Sequence, residues 1–503
     1  MPGSTSFTLL NLLILFGFLG GVTYMGHVLS GSVKTRKDFF NAGGGLPWWA
    51  VSSSVIATVI SSVTFVTVPA QVFRPDGNLF YIQILMGLML AKVLTAVVVA
   101  EPYYRSTDCK TVFEYIGRRT TAKIGNFAMV MGLSLTSINT GIRLLTTALV
   151  LSVVTGFGLW LCTAIVVGFA ILWSWIAGLK TVIWTDFLLF IIFTLGAVFT
   201  VYWTSNAVEM TFGEAFLLLD ERGKTALFDF SVDPRTTYTI WAGIIGVTFG
   251  NFALAGTQAT YQRVKACRSV RDAKLAFATS ALLYVTPICM LLVGLALSVF
   301  YTEHPLPPEM TTLLVDEPDR IFPYFIATEL PNGISGIFIA AIFAAGISTI
   351  DTHLTEVSDI TISDIYEKYI KKGASEAHYL MASRITLVGW GIVYTFMAMG
   401  FSLLQGEGIL NLTFRLPYYV SGIILATIFL ARIGVGKFPA YVIGAAASLA
   451  TVLLQQYFGV SFFFWPLVSG AVMFAIVYAM SRQEPEYSGI VQPMDEQSAP
   501  AMT

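Results

Sequence analysis

The sequence contains thirteen long apolar stretches, each about long enough to cross a lipid bilayer. A transmembrane helix needs about 20 mostly apolar residues, because the hydrocarbon core is about 30 Å thick. The stretches span residues 6–29, 47–73, 77–101, 124–155, 158–178, 181–204, 237–260, 275–302, 333–359, 384–405, 408–431, 438–458 and 461–481. Only 12% of the residues are charged, against about 25% in soluble domains. The chain is therefore predicted to be an all-α integral membrane protein.

The positions of lysine and arginine predict the orientation of these helices. With the N-terminus outside, the cytoplasmic segments carry 21 of the 29 basic residues and the outside segments carry 5. Because cytoplasmic loops are enriched in Lys and Arg, we expect the N-terminus outside and the C-terminus in the cytoplasm. Arg222 and Lys224 belong to the outside segments, and Arg263 is counted with the cytoplasmic ones. One transmembrane domain is expected over residues 1–482, followed by a disordered tail over 483–503.

The composition argues against several other function classes. Basic and acidic residues number 29 and 30, so no excess of positive charge indicates nucleic-acid binding. The four cysteines lack CxxC spacing and the four histidines are scattered, which is not typical of a metal centre. We therefore expect neither an enzyme nor an obligatory protein partner. The alternative function that we retain from another class is an ion channel.

Two of the stretches are predicted to be interrupted helices. The second, WWAVSSSVIATVISSVTFVTVPAQVF, contains eight serines and threonines, whose hydroxyls can bond to carbonyls freed by unwinding. Packing of small residues is the alternative for this stretch. The seventh contains four glycines and Asn251 near its middle. Interruptions at corresponding positions of two halves indicate an inverted-repeat transporter, whose half-helix ends bind ions and anionic groups.

Polar residues mark one face of the ninth stretch. Ser348, Asp351, Thr352 and Thr355 recur at three- and four-residue steps, which place them on the same side of a helix. Hydroxyl and carboxylate oxygens are ligands that hard cations prefer. This face is therefore predicted to line an ion path. Asp186, near the end of the sixth stretch, is either a further ligand or an interfacial side chain.

Arg143 lies near the middle of the fourth stretch, in LTSINTGIRLLTTALV. A guanidinium inside a membrane needs an acid or an anionic ligand beside it. No acid lies within one helical turn of Arg143 in the sequence. Two partners for Arg143 are considered: an anionic substrate, and an acid on another helix.

Glu356 and Asp359 follow the polar face of the ninth stretch. They are expected near the cytoplasmic exit, where water solvates them.

Three segments of the chain together resemble the sodium/solute symporter family. They are KDFFNAGGGLPWWAVSSSVIATVISSVTF, KTVIWTDF and AAIFAAGISTIDTHLTEVSDITISDIY, and the similarity covers nearly the whole chain. The resemblance implies a leucine-transporter-type fold with an extra first helix at 6–29, inverted five-helix repeats at 47–204 and 237–431, and trailing helices at 438–481. It also implies a sodium-coupled secondary active symporter that imports an organic solute by alternating access.

Carried over by position, the resemblance implies two sodium sites. The first would use backbone carbonyls and hydroxyls of Ala57, Ile60, Ala345, Ser348 and Thr349. The second, present in some members, would use Asp186, Ser348, Asp351 and Thr352. Asp351 stands where the family more often has a hydroxyl, and its carboxylate would strengthen cation binding or carry a proton instead.

The predicted substrate residues resemble those of the bacterial sodium/sialic acid symporters. They are Ser61, Thr64, Gln83, Arg143 and Asn251. The arginine would pair with the carboxylate of a sialic acid such as N-acetylneuraminate through two parallel hydrogen bonds. The resemblance thus implies import of a sialic acid or related acidic sugar across a bacterial inner membrane. A neutral sugar and a monocarboxylate are the alternative substrates.

Overall fold

The computed structural model describes residues 9–30, 39–40, 42–57, 61–404 and 408–481. Its α-helices are α1 (Leu9–Ser30), α2 (Trp48–Ala57), α3 (Ser62–Phe73), α4 (Tyr81–Val98), α5 (Ala100–Arg105), α6 (Val112–Arg119), α7 (Ala122–Thr155), α8 (Leu159–Ala207), α9 (Phe212–Glu221), α10 (Thr248–Phe252), α11 (Gln258–Ala266), α12 (Val270–Ser280), α13 (Val285–Glu303), α14 (Pro308–Asp316), α15 (Ile321–Thr328), α16 (Ile334–Ile360), α17 (Glu376–Ser402), α18 (Ile409–Ile433), α19 (Phe438–Tyr457) and α20 (Trp465–Ser481). Shorter 3-10 segments cover Ala253–Gly256, Ala281–Tyr284, Pro318–Arg320 and Phe462–Phe464, and π-helical segments cover Ala242–Val247 and Thr361–Ile370. Regular secondary structure in the described residues is helical, which confirms the all-α prediction.

The predicted apolar stretches coincide with helices. Within the described residues, nine helical segments are long and apolar enough to cross a membrane, or ten if α2 and α3 form one bent span. Three shorter apolar helices cover Leu13–Tyr24, Leu159–Trp175 and Ala242–Gly256. The chain is therefore a multi-pass membrane protein, and a total of thirteen spans stays a prediction.

The second stretch is broken, as the sequence predicts. α2 ends at Ala57, α3 begins at Ser62, and the two helices are bent by 57°. Ser61 has extended backbone (φ −118°, ψ −176°) and caps α3 by accepting a hydrogen bond from the Val63 amide. Because helix ends carry unpaired polar groups, the break places carbonyls of α2 and amides of α3 inside the bundle.

The seventh stretch is irregular where its glycines lie. The π-helical segment Ala242–Val247 is followed by α10, a 3-10 turn and then α11. A Cβ atom on Gly243 would lie 2.0 Å from the Gln83 carbonyl, and one on Gly87 would lie 2.0 Å from the Gly243 carbonyl. Only glycine therefore permits this close crossing with α4. The predicted interruption is confirmed, and it places Asn251 in the short helix α10.

α8 contains two of the predicted spans, and the chain reverses direction within it. Phe169 contacts Phe343 and Ser174 contacts Asp351, so the first part of α8 runs in the same sense as α16. Later contacts, from Asp186 to Ser348 and from Gly196 to Phe338, run in the opposite sense. The reversal therefore lies between Ser174 and Asp186 and brings both parts of α8 against α16.

α16 lies at the centre of the bundle, and α17 lies at its periphery. The most apolar window of the α16 segment is 89% buried, whereas that of α17 is 22% buried. Ile385, Ile392 and Phe396 of α17 are exposed apolar side chains, as expected of a surface that faces lipid. The polar residues of α16 are consequently internal, where charge needs protein partners.

Candidate functional site

The carboxylate of Asp186 lies where three parts of the bundle meet. One oxygen accepts a hydrogen bond from the Ser54 hydroxyl of α2 at 2.6 Å, and the other accepts one from the Ser348 hydroxyl of α16 at 2.5 Å. A guanidinium nitrogen of Arg263 in α11 lies 3.9 Å away. Asp186 is only 4% exposed. It is therefore an internal group, and the interfacial alternative is wrong.

A small cavity of about 10 Å³ adjoins this carboxylate, and Ala57, Asp186, Ala345 and Ser348 contribute to its lining. A cavity of about 10–15 Å³ holds about one water molecule, which is also the scale of one sodium ion. The Thr349 hydroxyl donates to the Ala345 carbonyl at 2.9 Å. The structure thus gathers four of the five residues of the first predicted sodium site. The fifth, Ile60, lies outside the described residues.

The second predicted sodium site is brought together only in part. Asp186 and Ser348 are in direct contact, and Thr352 is buried on the same helix as Ser348. The Asp351 carboxylate instead accepts hydrogen bonds from Ser174 of α8 and from Thr355, the latter at 3.4 Å. Asp351 does not line the small cavity. A partner on α8, the Ser174 hydroxyl, therefore accommodates the Asp351 carboxylate.

Arg263 is a residue that the sequence analysis counted in a cytoplasmic segment and did not assign to a site. Its side chain is 3% exposed and belongs to α11. Nε donates to the Ser54 hydroxyl at 3.2 Å, and Nη1 donates to the Ala259 carbonyl at 3.3 Å. Nη2 is buried without a hydrogen-bond partner. The only signal in the sequence is that TYQRVKA continues the seventh stretch in helix-forming residues beyond its apolar part.

A larger cavity, which we call the central cavity, has a volume of about 110 Å³ and extends between α3, α4, α7, α16 and α18. Its lining includes the predicted substrate residues Thr64, Arg143 and Asn251. It also includes two more bases, Lys92 and Arg263, and one acid, Glu356. An excess of basic over acidic side chains in a cleft with low-dielectric walls favours an anionic ligand.

Arg143 meets the N-terminal end of α3. Its Nη1 donates to the Ser61 hydroxyl at 2.6 Å, and Ser61 also accepts a hydrogen bond from the Val63 amide at 3.3 Å. Arg143 Nε is buried without a hydrogen-bond partner, and no acid of the described residues forms an ion pair with Arg143. A helix N-terminus and a guanidinium both stabilise negative charge. Their convergence gives this end of the central cavity donors and positive potential that would suit an anion.

Of two other predicted substrate residues, Asn251 lines the central cavity and Gln83 does not. The Asn251 amide donates to the Tyr418 hydroxyl at 2.8 Å, and both side chains line the central cavity. The Gln83 amide accepts a hydrogen bond from the Asp229 backbone at 3.0 Å and donates to the Tyr238 carbonyl at 3.3 Å. Gln83 therefore ties α4 to the loop before the seventh stretch and does not line the cavity.

Glu356 and Asp359 do not lie in solvent, contrary to the sequence-based expectation. They are 1% and 3% exposed. Glu356 accepts a hydrogen bond from His353 at 3.1 Å, and Asp359 accepts one from each of the amides of Gln258 and Gln262, at 2.7 and 2.9 Å. The expectation fails because α16 continues as a buried helix beyond the length of an average span.

Comparison with known proteins identifies the family of the chain. The model of the sodium:solute symporter family matches residues 39–433. The sodium/sialic acid symporter SiaT of Proteus mirabilis is 28% identical, with 92% of each chain covered. The sodium/sialic acid symporter NanT of Aliivibrio fischeri is 27% identical, with 94% of this chain and 92% of its own length covered.

A solved structure has the same fold over most of the chain. It is a substrate-bound, outward-open Na⁺-coupled sialic acid symporter described with a novel Na⁺ site, 26% identical, with a TM-score of 0.83 over 95% of this chain and 98% of that one. This confirms the leucine-transporter-type fold. The family model covers most of the chain, and its members are sodium-coupled transporters rather than enzymes. The chain belongs to the sodium:solute symporter family.

Proposed function

We propose that this symporter imports a sialic acid or a related acidic sugar together with sodium. The observation that carries the proposal is the contact of Arg143 with Ser61 at the start of α3. A carboxylate placed there would accept hydrogen bonds from the guanidinium and would lie at the positive end of a 12-residue helix. Arg143 would then gain the anionic partner that it lacks among the described residues.

The rest of the central cavity suits the hydroxyl and amide groups of a sugar. Asn251, Tyr418 and Thr64 offer polar groups on the side walls, and the aromatic rings of Tyr81 and Phe414 add apolar surface. Small-molecule sites commonly combine an apolar wall with a few polar groups that fix the orientation of the ligand. The similarity to SiaT and NanT supports the choice of a sialic acid over other carboxylates.

Sodium would bind beside Ala57, Ala345 and Ser348, at the opposite side of the break in the second span. The C-terminal end of α2 offers carbonyl oxygens to a cation, and the N-terminal end of α3 offers amides to an anion. Each ligand would therefore contact one half of the same broken helix. Coupling requires that sodium binds two states with different free energies, and contact of both ligands with one broken helix would supply such a connection.

The remaining features of the proposal concern location and organisation. We place the protein in a bacterial inner membrane, with the N-terminus outside and the C-terminus in the cytoplasm. The relatives named above are bacterial, and the 21-to-5 distribution of basic residues supports this orientation. One transporter domain would cover residues 1–482 with a cytoplasmic tail over 483–503. The proposed partners are sodium, the solute and the lipid bilayer. No obligatory protein partner is proposed.

Uptake by proteoliposomes tests the proposal. We expect labelled N-acetylneuraminate to accumulate only under an inward sodium gradient. Because the solute carries one negative charge, import with one sodium ion is electroneutral, whereas two or more sodium ions per solute make uptake faster with the interior negative, at about 2.3 kcal/mol per net charge and 100 mV. Accumulation of galactose or lactate instead would assign the alternative substrates. Sodium current without solute accumulation would indicate a channel and would contradict the proposal.

A further inference from the structure

One helix of the central cavity, α18, contains a proline in its interior. α18 runs from Ile409 to Ile433 and continues as a helix through Pro417. Proline has no backbone N–H, so it cannot donate to the carbonyl four residues earlier, and its ring crowds that carbonyl. The carbonyl of Thr413 therefore lacks the hydrogen bond that an unbroken α-helix would give it.

The freed carbonyl lies on the side of α18 that faces the central cavity. The residues of α18 that line this cavity recur at steps of mainly three and four, which place them on one face of the helix. They are Leu410, Thr413, Phe414, Pro417, Tyr418 and Ser421. A helix carbonyl points along the axis towards the residue four positions later, so that of Thr413 points towards Pro417. Because both residues line the cavity, the carbonyl between them borders it.

Side chains of the described residues do not satisfy this carbonyl. The Thr413 hydroxyl donates instead to the Ile409 carbonyl at 2.9 Å, and no described side chain donates to the Thr413 carbonyl. One turn later, the Pro417 carbonyl accepts a hydrogen bond from the Ser421 hydroxyl at 3.0 Å. A backbone carbonyl freed inside a membrane needs another donor, and a molecule bound in the cavity would supply one.

The charged groups of the cavity lining offer more donors than acceptors. Lys92, Arg143 and Arg263 line the cavity and can only donate. The Glu356 carboxylate already accepts a hydrogen bond from the Thr136 hydroxyl at 3.1 Å. An acidic sugar carries several O–H and N–H donors besides its carboxylate, and these need acceptors when they leave water. The Thr413 carbonyl is an acceptor that α18 can offer to one of them.

Contacts with α10 fix the position of this part of α18. The Asn251 amide donates to the Tyr418 hydroxyl at 2.8 Å, and a Cβ atom on Gly250 would lie 2.8 Å from the Tyr418 ring. Thr413 precedes Tyr418 by a distance of about 7.5 Å along the helix axis. The carbonyl is thus held at a set distance from the polar pair Asn251 and Tyr418, as a group that discriminates between solutes requires.

We propose that the Thr413 carbonyl recognises one hydrogen-bond donor of the transported solute, a sugar hydroxyl or the N–H of an acetamido group. Pro417 is the positioning residue that frees this carbonyl. That the solute is an acidic sugar rests on the proposed function. Arg143 would bind the carboxylate, whereas Thr413 would distinguish solutes by a donor elsewhere on the molecule. A solute without that donor would leave the carbonyl unpaired, which is the costly case for a buried polar group.

Binding calorimetry of the purified full-length protein at saturating sodium tests this proposal. The ligands are N-acetylneuraminate, the analogues of it that each lack one hydroxyl group, and the analogue with an ester in place of the acetamido group. The variants are Pro417→Ala and Pro417→Val, which both restore the backbone N–H, and valine keeps most of the side-chain volume.

We expect wild type to bind one analogue about three- to tenfold more weakly than N-acetylneuraminate because of this single hydrogen bond. Both Pro417 variants should lose the discrimination against that analogue and keep the discrimination against the others. Pro439→Ala is the matched control. It removes an exposed proline in the first turn of α19, where the missing N–H has no carbonyl partner within the helix.

The outcomes separate this role of Thr413 from the proposed function. Discrimination by the Pro417 variants that equals that of wild type for every analogue would overturn the role and leave the proposed function intact. Equal weakening of all ligands would mean that Pro417 only shapes the cavity, and it would overturn the role as well. The same holds if Pro439→Ala loses the discrimination. Absence of N-acetylneuraminate binding by wild type would instead overturn the proposed function. Melting curves verify folding, and the Pro417 variants should melt no lower than wild type because they regain a helix hydrogen bond.

Discussion

The guanidinium of Arg263 lies 3.9 Å from the carboxylate of Asp186, and both side chains are buried. The Ser54 hydroxyl stands between them, since it accepts from Arg263 and donates to Asp186. Asp186 also borders the small cavity of the first predicted sodium site. A cation entering this cavity would therefore share the carboxylate with a cation that is already part of the protein.

The first prediction follows from this competition. Arg263→Gln should bind sodium about ten- to a hundredfold more tightly, because removal of a positive charge a few ångströms away is worth about 1–3 kcal/mol at an intermediate dielectric. The variant should also melt at a lower temperature without sodium, since Asp186 loses its buried partner. Sodium-dependent melting curves measure both effects.

A matched substitution is the control for this prediction. Arg268→Gln removes an exposed arginine that follows the same helix and donates to the Gly45 carbonyl, so its sodium response should equal that of wild type. A sodium-induced shift in Arg263→Gln no larger than in wild type would mean that Arg263 does not oppose the ion.

The second prediction concerns Ser348. Its hydroxyl contacts Asp186 at 2.5 Å and borders the small cavity. Ser348→Ala should raise the half-activating sodium concentration for uptake about tenfold, the usual worth of a hydrogen bond to a charged group. The control is Ser358→Ala on the same helix, whose hydroxyl donates to the Ser383 carbonyl instead. Equal sodium dependence in the two variants would remove Ser348 from the sodium site.

The sequence predicted which segments form helices better than it predicted how deeply individual charged side chains are buried. Apolar length identified the helices, and hydroxyl and glycine content identified the two interrupted stretches. Arg143 and Asp186 stood out because a charge within an apolar run is rare. By contrast, Arg263 and Lys224 lie in stretches whose charges look like those of ordinary loops. Their burial depends on contacts with α2 and α3, which are distant in the sequence.

Gln83 is a second residue whose contacts the sequence did not predict. Its position in an apolar helix, and its resemblance to substrate residues of the family, favoured the central cavity. The structure instead satisfies both ends of its amide with the backbone of Asp229 and Tyr238. Sequence spacing predicts which residues share one face of a helix. It does not predict which loop of the chain will pack against that face.

The third prediction compares two carboxylates. Asp351 bonds to Ser174 and Thr355, whereas Asp186 borders the small cavity, so their replacement should have different effects. Asp351→Ser restores the commoner family residue and keeps a hydroxyl for Ser174, so uptake and its sodium dependence should be retained. Asp186→Asn preserves shape but loses charge and should abolish most sodium activation. Uptake and half-activating sodium are measured for both. A lower number of sodium ions per solute in Asp351→Ser would place Asp351 at a cation site after all.

The fourth prediction concerns Lys224, which is 3% exposed. Its ammonium group donates to the Val72 and Arg74 carbonyls at the end of α3, at 2.7 and 2.6 Å. Lys224→Met keeps most of the side-chain volume but leaves the carbonyls at the end of α3 without donors. We expect a loss of stability of about 1–3 kcal/mol, the cost of unsatisfied buried polar groups, seen as a lower melting temperature. Lys372→Met replaces an exposed lysine and should leave melting unchanged. Identical melting of both variants would show that the ammonium does not stabilise α3.

The last prediction concerns Arg143, on which the choice of substrate depends. Lysine retains the charge but lacks the planar pair of donors that matches a carboxylate. Arg143→Lys should therefore weaken N-acetylneuraminate binding by about tenfold or more, while sodium still stabilises the protein. Calorimetry of solute binding, together with melting curves, measures the two effects separately.

The alternative for Arg143 is a permanent structural partner, and the same variant distinguishes it. The only described hydrogen bond of its guanidinium is to Ser61, and Ser61 has a second contact in the Val63 amide. If Arg143 mainly held the start of α3, lysine would lower the melting temperature equally with and without solute, and solute affinity in the folded fraction would be unchanged. Because the Nε group is buried without a partner, we expect the opposite result. Stability without solute should change little, and the additional stabilisation by solute should be largely lost.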